Sequence, residues 1–165
     1  MSKTKVYIAA SYTAHALAEE VAGILEPYCE VVSTWHKPEN VVDDDTLCGE
    51  EKESRANIDV EQICYCDWLL YLSTPHKSCG GKDFEMGYAF GSGKCVYIFG
   101  SKTHIFTHCI HNVPLPFLIG AFDNAAKVRC EIQIAIDKHV ATLEAVLKTK
   151  RENLAQRAKN STENV

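Results

Sequence analysis

The chain has 165 residues and a mass of 18.4 kDa, one domain's worth of protein with room for a real core. Hydrophobic residues make up 46% and charged residues 24%, the balance of a soluble globule, and the net charge of −5 argues against general nucleic-acid binding, which phosphate neutralisation drives. No apolar run reaches the roughly 20 residues of a membrane helix, and Met1-Ser2-Lys3-Thr4-Lys5 leads straight into a strand-like run without a signal-peptide core, so a cytoplasmic protein is expected.

Lys5 to Ala10 reads as a buried strand, broken by Ser11-Tyr12-Thr13. Ala14, Leu17, Ala18, Val21, Ala22 and Leu25 then recur at helical spacing until Pro27. Glu30 to Thr34 is a short β-branched strand, and Trp35 to Gly49 a polar loop. A helix is predicted from about Glu50 to Cys64, followed by a strand at Trp68–Leu72 that is apolar on both faces, as a central parallel strand should be. A loop from Ser73 to Gly81 enters a short helix from about Asp83 to Phe90, which Gly91-Ser92-Gly93 ends. Cys95 to Phe99 is a fourth strand, and Phe117 to Gly120 is assigned to a short fifth. Val128, Ile132, Ile136, Val140, Leu143 and Leu147 step by three and four, so a long amphipathic helix closes the chain. The expected organisation is one domain over 1–158 and a disordered tail over 159–165.

Strands alternating with helices imply a parallel sheet covered on both faces, here five strands in the order 2-1-3-4-5. Ligands of such sheets bind beyond the carboxyl ends of the strands, where strand order reverses. That point gathers Ser11-Tyr12, the Ser73–Gly81 loop and the start of the helix carrying Glu85.

Several motifs carry less than they promise. The eight cysteines (29, 48, 64, 66, 79, 95, 109 and 130) are scattered, several within apolar runs, and read as free thiols. Cys64-Tyr65-Cys66 is a lone C-x-C, short of a zinc pattern. Asp43-Asp44-Asp45 lacks the glycine and distal glutamate of a calcium loop and reads as a polar turn. Gly91-Ser92-Gly93-Lys94 follows a helix and precedes Cys95, so it is not a phosphate loop, and no G-x-S-x-G elbow exists. His104, His108, Cys109 and His111 share one loop without a spaced partner pair, and no metal is expected there.

Glu85 differs, because it sits near the start of a glycine-led helix facing the predicted cleft. A first-turn glutamate also complements the helix dipole, but Asp59, at the edge of the apolar face of the preceding helix, points to the same end of the sheet. Two carboxylates in one cleft suit retaining glycosyl chemistry, one as nucleophile and the other handling protons. Asp67, just before the third strand, reads as a turn and capping residue.

Val6-Tyr7-Ile8-Ala9-Ala10-Ser11, then Asn57-Ile58-Asp59 with Ile63 and Asp67, then Gly80-Gly81-Lys82-Asp83-Phe84-Glu85-Met86-Gly87-Tyr88-Ala89 with Gly93-Lys94, together resemble the nucleoside 2-deoxyribosyltransferase family, which includes the 2′-deoxynucleoside 5′-monophosphate N-hydrolases. The resemblance spans roughly residues 5 to 100. It implies a flavodoxin-like three-layer fold and a homo-oligomer whose neighbours complete each site. It also implies that Glu85 attacks C1′ of the deoxyribose, that Asp59 assists departure of the base, and that Tyr7, Ser11 and Tyr12 line the sugar and base pocket. No cofactor or metal is implied, since a carboxylate supplies the chemistry. Partners are then a small deoxynucleoside or deoxynucleotide and a free nucleobase. Ser78, Cys79 and Gly81 fall where the substrate's 5′ end is held. In that family the position six before the nucleophile is Asp in transferases and Ser in nucleotide hydrolases. This chain has Cys79, and its loop has no Arg to clamp a phosphate, which favours the nucleoside. The leading expectation is deoxyribosyl transfer between bases. Hydrolysis of deoxynucleoside monophosphates is the enzymatic alternative, and a nucleotide-binding or sensing protein the non-enzymatic one.

Overall fold

The computed structural model describes residues 2–42, 46–74, 80–100, 102, 105–121 and 123–162, the side chains of 158–162 excepted. β1 (Thr4–Ala9), β3 (Trp68–Ser73) and β4 (Cys95–Gly100) are the apolar runs of the sequence, and each is buried along most of its length because helices cover both faces. With β2 (Cys29–Val31) they form a four-stranded parallel sheet in the order β2-β1-β3-β4.

The two-residue period of β1 sorts its side chains. Val6 and Ile8 face a core shared with Leu17, Val21 and Leu25 of α1 (His15–Leu25) and with Val128 and Ile132 of α5 (Ala125–Thr162). Tyr7 and Ala9 face the other core, which holds Ile63 of α2 (Gly49–Tyr65) and Met86 and Ala89 of α3 (Gly81–Gly91). Gly80 caps the start of α3, and its φ of 93° is a conformation that glycine adopts without strain. Its carbonyl accepts from Phe84 N–H at 2.9 Å, closing the first turn. Asp67 Oδ2 accepts the Lys5 N–H at 2.8 Å, so that carboxylate pins the entry of β1 to β3, at the end of the sheet where those strands begin.

The sheet has four strands rather than the expected five. The segment assigned to a fifth strand is a short helix, α4 (Leu115–Ile119). Pro116 lacks the N–H a ladder needs but is tolerated in a first helical turn, and Leu115, Leu118 and Ile119 bury at one-turn spacing before Gly120 stops the helix at φ 62°. The β4 edge is met instead by one side chain. Asn112 Oδ1 accepts Ile98 N–H at 2.9 Å and its Nδ2 donates to the Ile98 carbonyl at 3.0 Å, replacing a strand with an amide. β2 is shorter than Glu30–Thr34, and its last ladder link is Val32 N–H to Val6 O at 2.9 Å.

α5 is 38 residues long, about 57 Å at 1.5 Å per residue, and its backbone stays helical through Thr162, into the stretch expected to be a disordered tail. Its first half packs on α1 and α4. Farther along, Leu147 of the predicted apolar stripe is exposed within the chain, and so is Leu154. The described cysteines are free thiols, and burial pushes those of Cys29 and Cys66 up to about 11. Among the described residues no group of His, Cys, Asp and Glu is arranged to hold a metal, and no helix is long and apolar enough to cross a membrane.

Candidate active site

A cavity of about 700 Å³ opens at the carboxyl ends of β1 and β3. The turn after β1 supplies Ser11 and Tyr12, the segment after β2 supplies Thr34, Trp35 and Asn40, α2 supplies Arg55, Ile58 and Asp59, and the first turns of α3 supply Gly81, Lys82 and Glu85. Three crossovers of a parallel sheet converge here because strand order reverses between β1 and β3.

Glu85 lies one helical turn into α3, and Tyr7 projects from β1 towards the same layer. The Tyr7 hydroxyl donates to Glu85 Oε1 at 2.8 Å. Glu85 Oε2 is buried and has no partner among the described groups. Burial is the main cause that pushes the Glu85 carboxyl up to about 8; the Tyr7 hydrogen bond opposes this and the nearby Asp59 charge adds to it. Burial likewise raises Asp59 to about 6, against the Tyr7 hydroxyl and the Arg55 guanidinium one helical turn away. Tyr7 thus stands in hydrogen-bonding reach of both carboxyls, and its own phenol is held well above the usual range by burial and then by the two negative charges. The arrangement is a pair of neighbouring acids, Glu85 sensing the Asp59 charge, with one tyrosine hydroxyl bonded to Glu85 beside them.

Ser11 is buried and its Oγ, at the cavity, finds no protein partner among the described residues. Tyr12 binds the loop across the cavity mouth: its hydroxyl donates to the Val42 carbonyl and accepts from the Val42 N–H. Lys82, three residues before Glu85, is 5% exposed. Its Nζ lies 3.5 Å from the Leu72 carbonyl and 4.8 Å from the centre of the Tyr71 ring. Burial lowers its pKa, with the Asp83 carboxylate opposing. Asp83 accepts from the Tyr71 hydroxyl at 2.6 Å, so this acid is turned to the sheet.

Of the residues singled out in the sequence, Glu85, Asp59, Ser11, Tyr12 and Gly81 border the cavity. Tyr7 sits behind it and touches Glu85, rather than lining a sugar or base pocket. Ser78 and Cys79 lie outside the described residues. Arg55 and Trp35 border the cavity without having been anticipated as site residues, and Lys82, which the sequence offers only as a charge near the substrate's 5′ end, borders it as well. Helical spacing was a signal for two of them, since Arg55 precedes Asp59 by four and Lys82 precedes Glu85 by three. Trp35, in an irregular segment, had no such signal.

No protein-family model matches the chain, and no curated protein matches it. Among solved structures it is similar to the Clostridium botulinum CMP N-glycosidase BcmB, at 17% identity, over 67% of this chain and 87% of that one, with a TM-score of 0.46. At that identity and superposition the likeness is coarse, and the chemistry of the site is read from this chain's own residues.

Proposed function

We propose that the protein cleaves the N-glycosidic bond of 2′-deoxynucleosides and transfers the deoxyribosyl group to another base. The observation that carries this reading is the buried Glu85, bonded on one oxygen by the Tyr7 hydroxyl and facing Asp59 across a nucleoside-sized cavity. Glu85 Oε2 is the free carboxylate oxygen, and it forms the bond to C1′ as the C1′–N bond breaks. The electron pair of that bond goes to the departing base, which takes the proton held by Asp59. An acceptor base then attacks C1′, the C1′–O bond returns its pair to Glu85, and the acceptor's proton passes to Asp59. The test is incubation with deoxyadenosine, deoxycytidine and their 5′-monophosphates, with and without a free acceptor base, followed by product separation. Exchange of bases supports transfer, free deoxyribose indicates hydrolysis, and no turnover overturns the enzymatic reading.

The pair also sets a pH profile. Below about 6 both carboxyls are protonated and no nucleophile exists; above about 8 both are ionised and no acid remains. Between these values the pair holds one proton, which rests mainly on Glu85; the reactive form is the tautomer in which that proton has moved to Asp59 and left Glu85 ionised, so kcat/KM is expected to be bell-shaped with limbs near these values. Tyr7→Phe removes a hydrogen bond that lowers both carboxyls, so both limbs should move to higher pH. A profile flat from pH 5 to 9 would contradict the assignment.

Lys82 favours a second reading, in which the substrate carries a 5′-phosphate. A buried ammonium at the positive end of α3, 3.5 Å from the Leu72 carbonyl, suits an anion. On this reading the 5′-monophosphate is turned over more than about tenfold faster than the nucleoside, roughly 1.4 kcal/mol of transition-state binding. Lys82→Met then erases that preference while leaving nucleoside turnover in place. Equal rates for the two substrates would return the choice to the nucleoside.

A further inference from the structure

Where β2 leaves the sheet, Ile8 of β1 has lost the strand that its N–H and C=O faced, and two side chains replace it. Ser33 Oγ accepts the Ile8 N–H at 3.2 Å, and Trp35 Nε1 donates to the Ile8 carbonyl at 2.8 Å. Ser33 is fully buried, and its oxygen is also 3.1 Å from His36 Nε2. Because that oxygen already accepts from Ile8, its own proton is assigned to His36 Nε2, which places the ring proton on Nδ1. Nδ1 in turn lies 2.8 Å from Glu19 Oε2, on α1. The result is a chain running Glu19, His36, Ser33, Ile8.

A Glu–His–Ser order invites comparison with a hydrolytic triad, but the geometry refuses it. Ser33 is 0% exposed and His36 is 2% exposed, so no substrate reaches the hydroxyl. What the chain does reach is Trp35. The His36 ring packs edge-on against the indole, with centroids 5.6 Å apart and planes at 86°. Tyr12 lies on the indole at 6.5 Å and 36°. Trp35 itself is half-buried and borders the cavity, on a segment without strand or helix to fix it. Its side-chain orientation therefore depends on these neighbours.

We propose that Glu19, His36 and Ser33 are positioning residues that lock Trp35 as the wall against which the substrate's base stacks. The word "base" rests on the function proposed above; the locking of the indole does not. A flat aromatic wall at a cavity of this size accepts any base face, so rigidity of the indole governs binding more than turnover.

The test uses Glu19→Ala, Glu19→Gln and His36→Phe. Trp35 and Trp68 are the two tryptophans, and Trp68 is 1% exposed, so Trp35→Phe gives the share of emission from the cavity wall. Glu19→Ala changes a half-exposed side chain and leaves the buried Ser33 in place. In this variant acrylamide quenching of the Trp35 emission is expected to rise, and KM for the deoxynucleoside to rise about fivefold with kcat nearly unchanged. Glu19→Gln keeps an acceptor for Nδ1–H and should restore both readouts. His36→Phe should resemble Glu19→Ala or exceed it; if it fails to fold, the two Glu19 variants decide. Unchanged quenching in Glu19→Ala overturns the proposal, as does a variant that melts earlier but keeps native quenching and KM. A wild type without turnover defeats the proposed function, whereas the quenching comparison still decides whether the chain holds Trp35.

Discussion

Replacing Glu85 by Gln should lower turnover of a 2′-deoxynucleoside by about 10³-fold or more and leave the fold intact. The amide keeps the size of the side chain and an acceptor for the Tyr7 hydroxyl, but has no anionic oxygen to attack C1′. A slow 2-fluoro-type substrate should leave a glycosyl adduct on Glu85 of the wild type, read by mass spectrometry of the peptide containing it. Full activity in Glu85→Ala would reduce the residue to a helix-end glutamate. The same variant reports on stability. The Glu85 carboxyl is held near 8 in the folded chain and near the ordinary carboxylate range when unfolded. Between those values the folded state keeps a proton that the unfolded state has released, so stability falls as pH rises through that window, by at most about 1.4 kcal/mol per pH unit for one proton. Glu85→Gln removes this slope. It should therefore gain stability over wild type at pH 8 and show the least advantage near pH 4, as chemical denaturation at the two pH values would show.

Asp59→Asn should slow turnover by about 10² to 10⁴, with the larger losses for poor leaving groups. A base that departs unaided needs no proton; one that departs as a poor anion needs it most. Equal losses for all leaving groups would mean that Asp59 positions the sugar. The substitution also removes a negative charge that raises the Glu85 carboxyl, so the alkaline limb should disappear and leave a single acidic limb, set by Glu85 alone and lying below its wild-type value of about 8. A retained alkaline limb would place the acid elsewhere.

How much of this was legible in the sequence follows from which contacts are local. The buried runs at Val6–Ala9 and Trp68–Leu72 announce central parallel strands because burial on both faces leaves a one-dimensional trace. Glu85 and Asp59 were legible because each sits at a helix edge whose period fixes its direction. The fifth strand was misread because Leu115-Pro116-Phe117-Leu118-Ile119 is too short for period to separate strand from helix; the arbiters were Pro116 and the Asn112 amide on β4, and the second is a tertiary contact. Trp35 went unnoticed as a site residue because its place is set by Ile8, His36 and Tyr12, none of which is visible as spacing. Lys82 was legible as a charge near the 5′ end, but not as a buried one, since burial of an ammonium depends on Tyr71 and Leu72 on a neighbouring strand.

The hydrogen bond from Tyr7 to Glu85 joins residues 78 positions apart. A loop of that length carries a closure entropy of several kcal/mol, recovered only when β1, β3 and α3 are docked together. Glu85 therefore acquires its Tyr7 partner only once those elements have docked. A nascent or partly unfolded chain contains both carboxylates but no raised pKa, no phenol on Glu85 and no cavity beside them. Any glycosidic activity is thereby confined to the completed fold, and a fragment that lacks either the first strand or the third helix has none to misdirect.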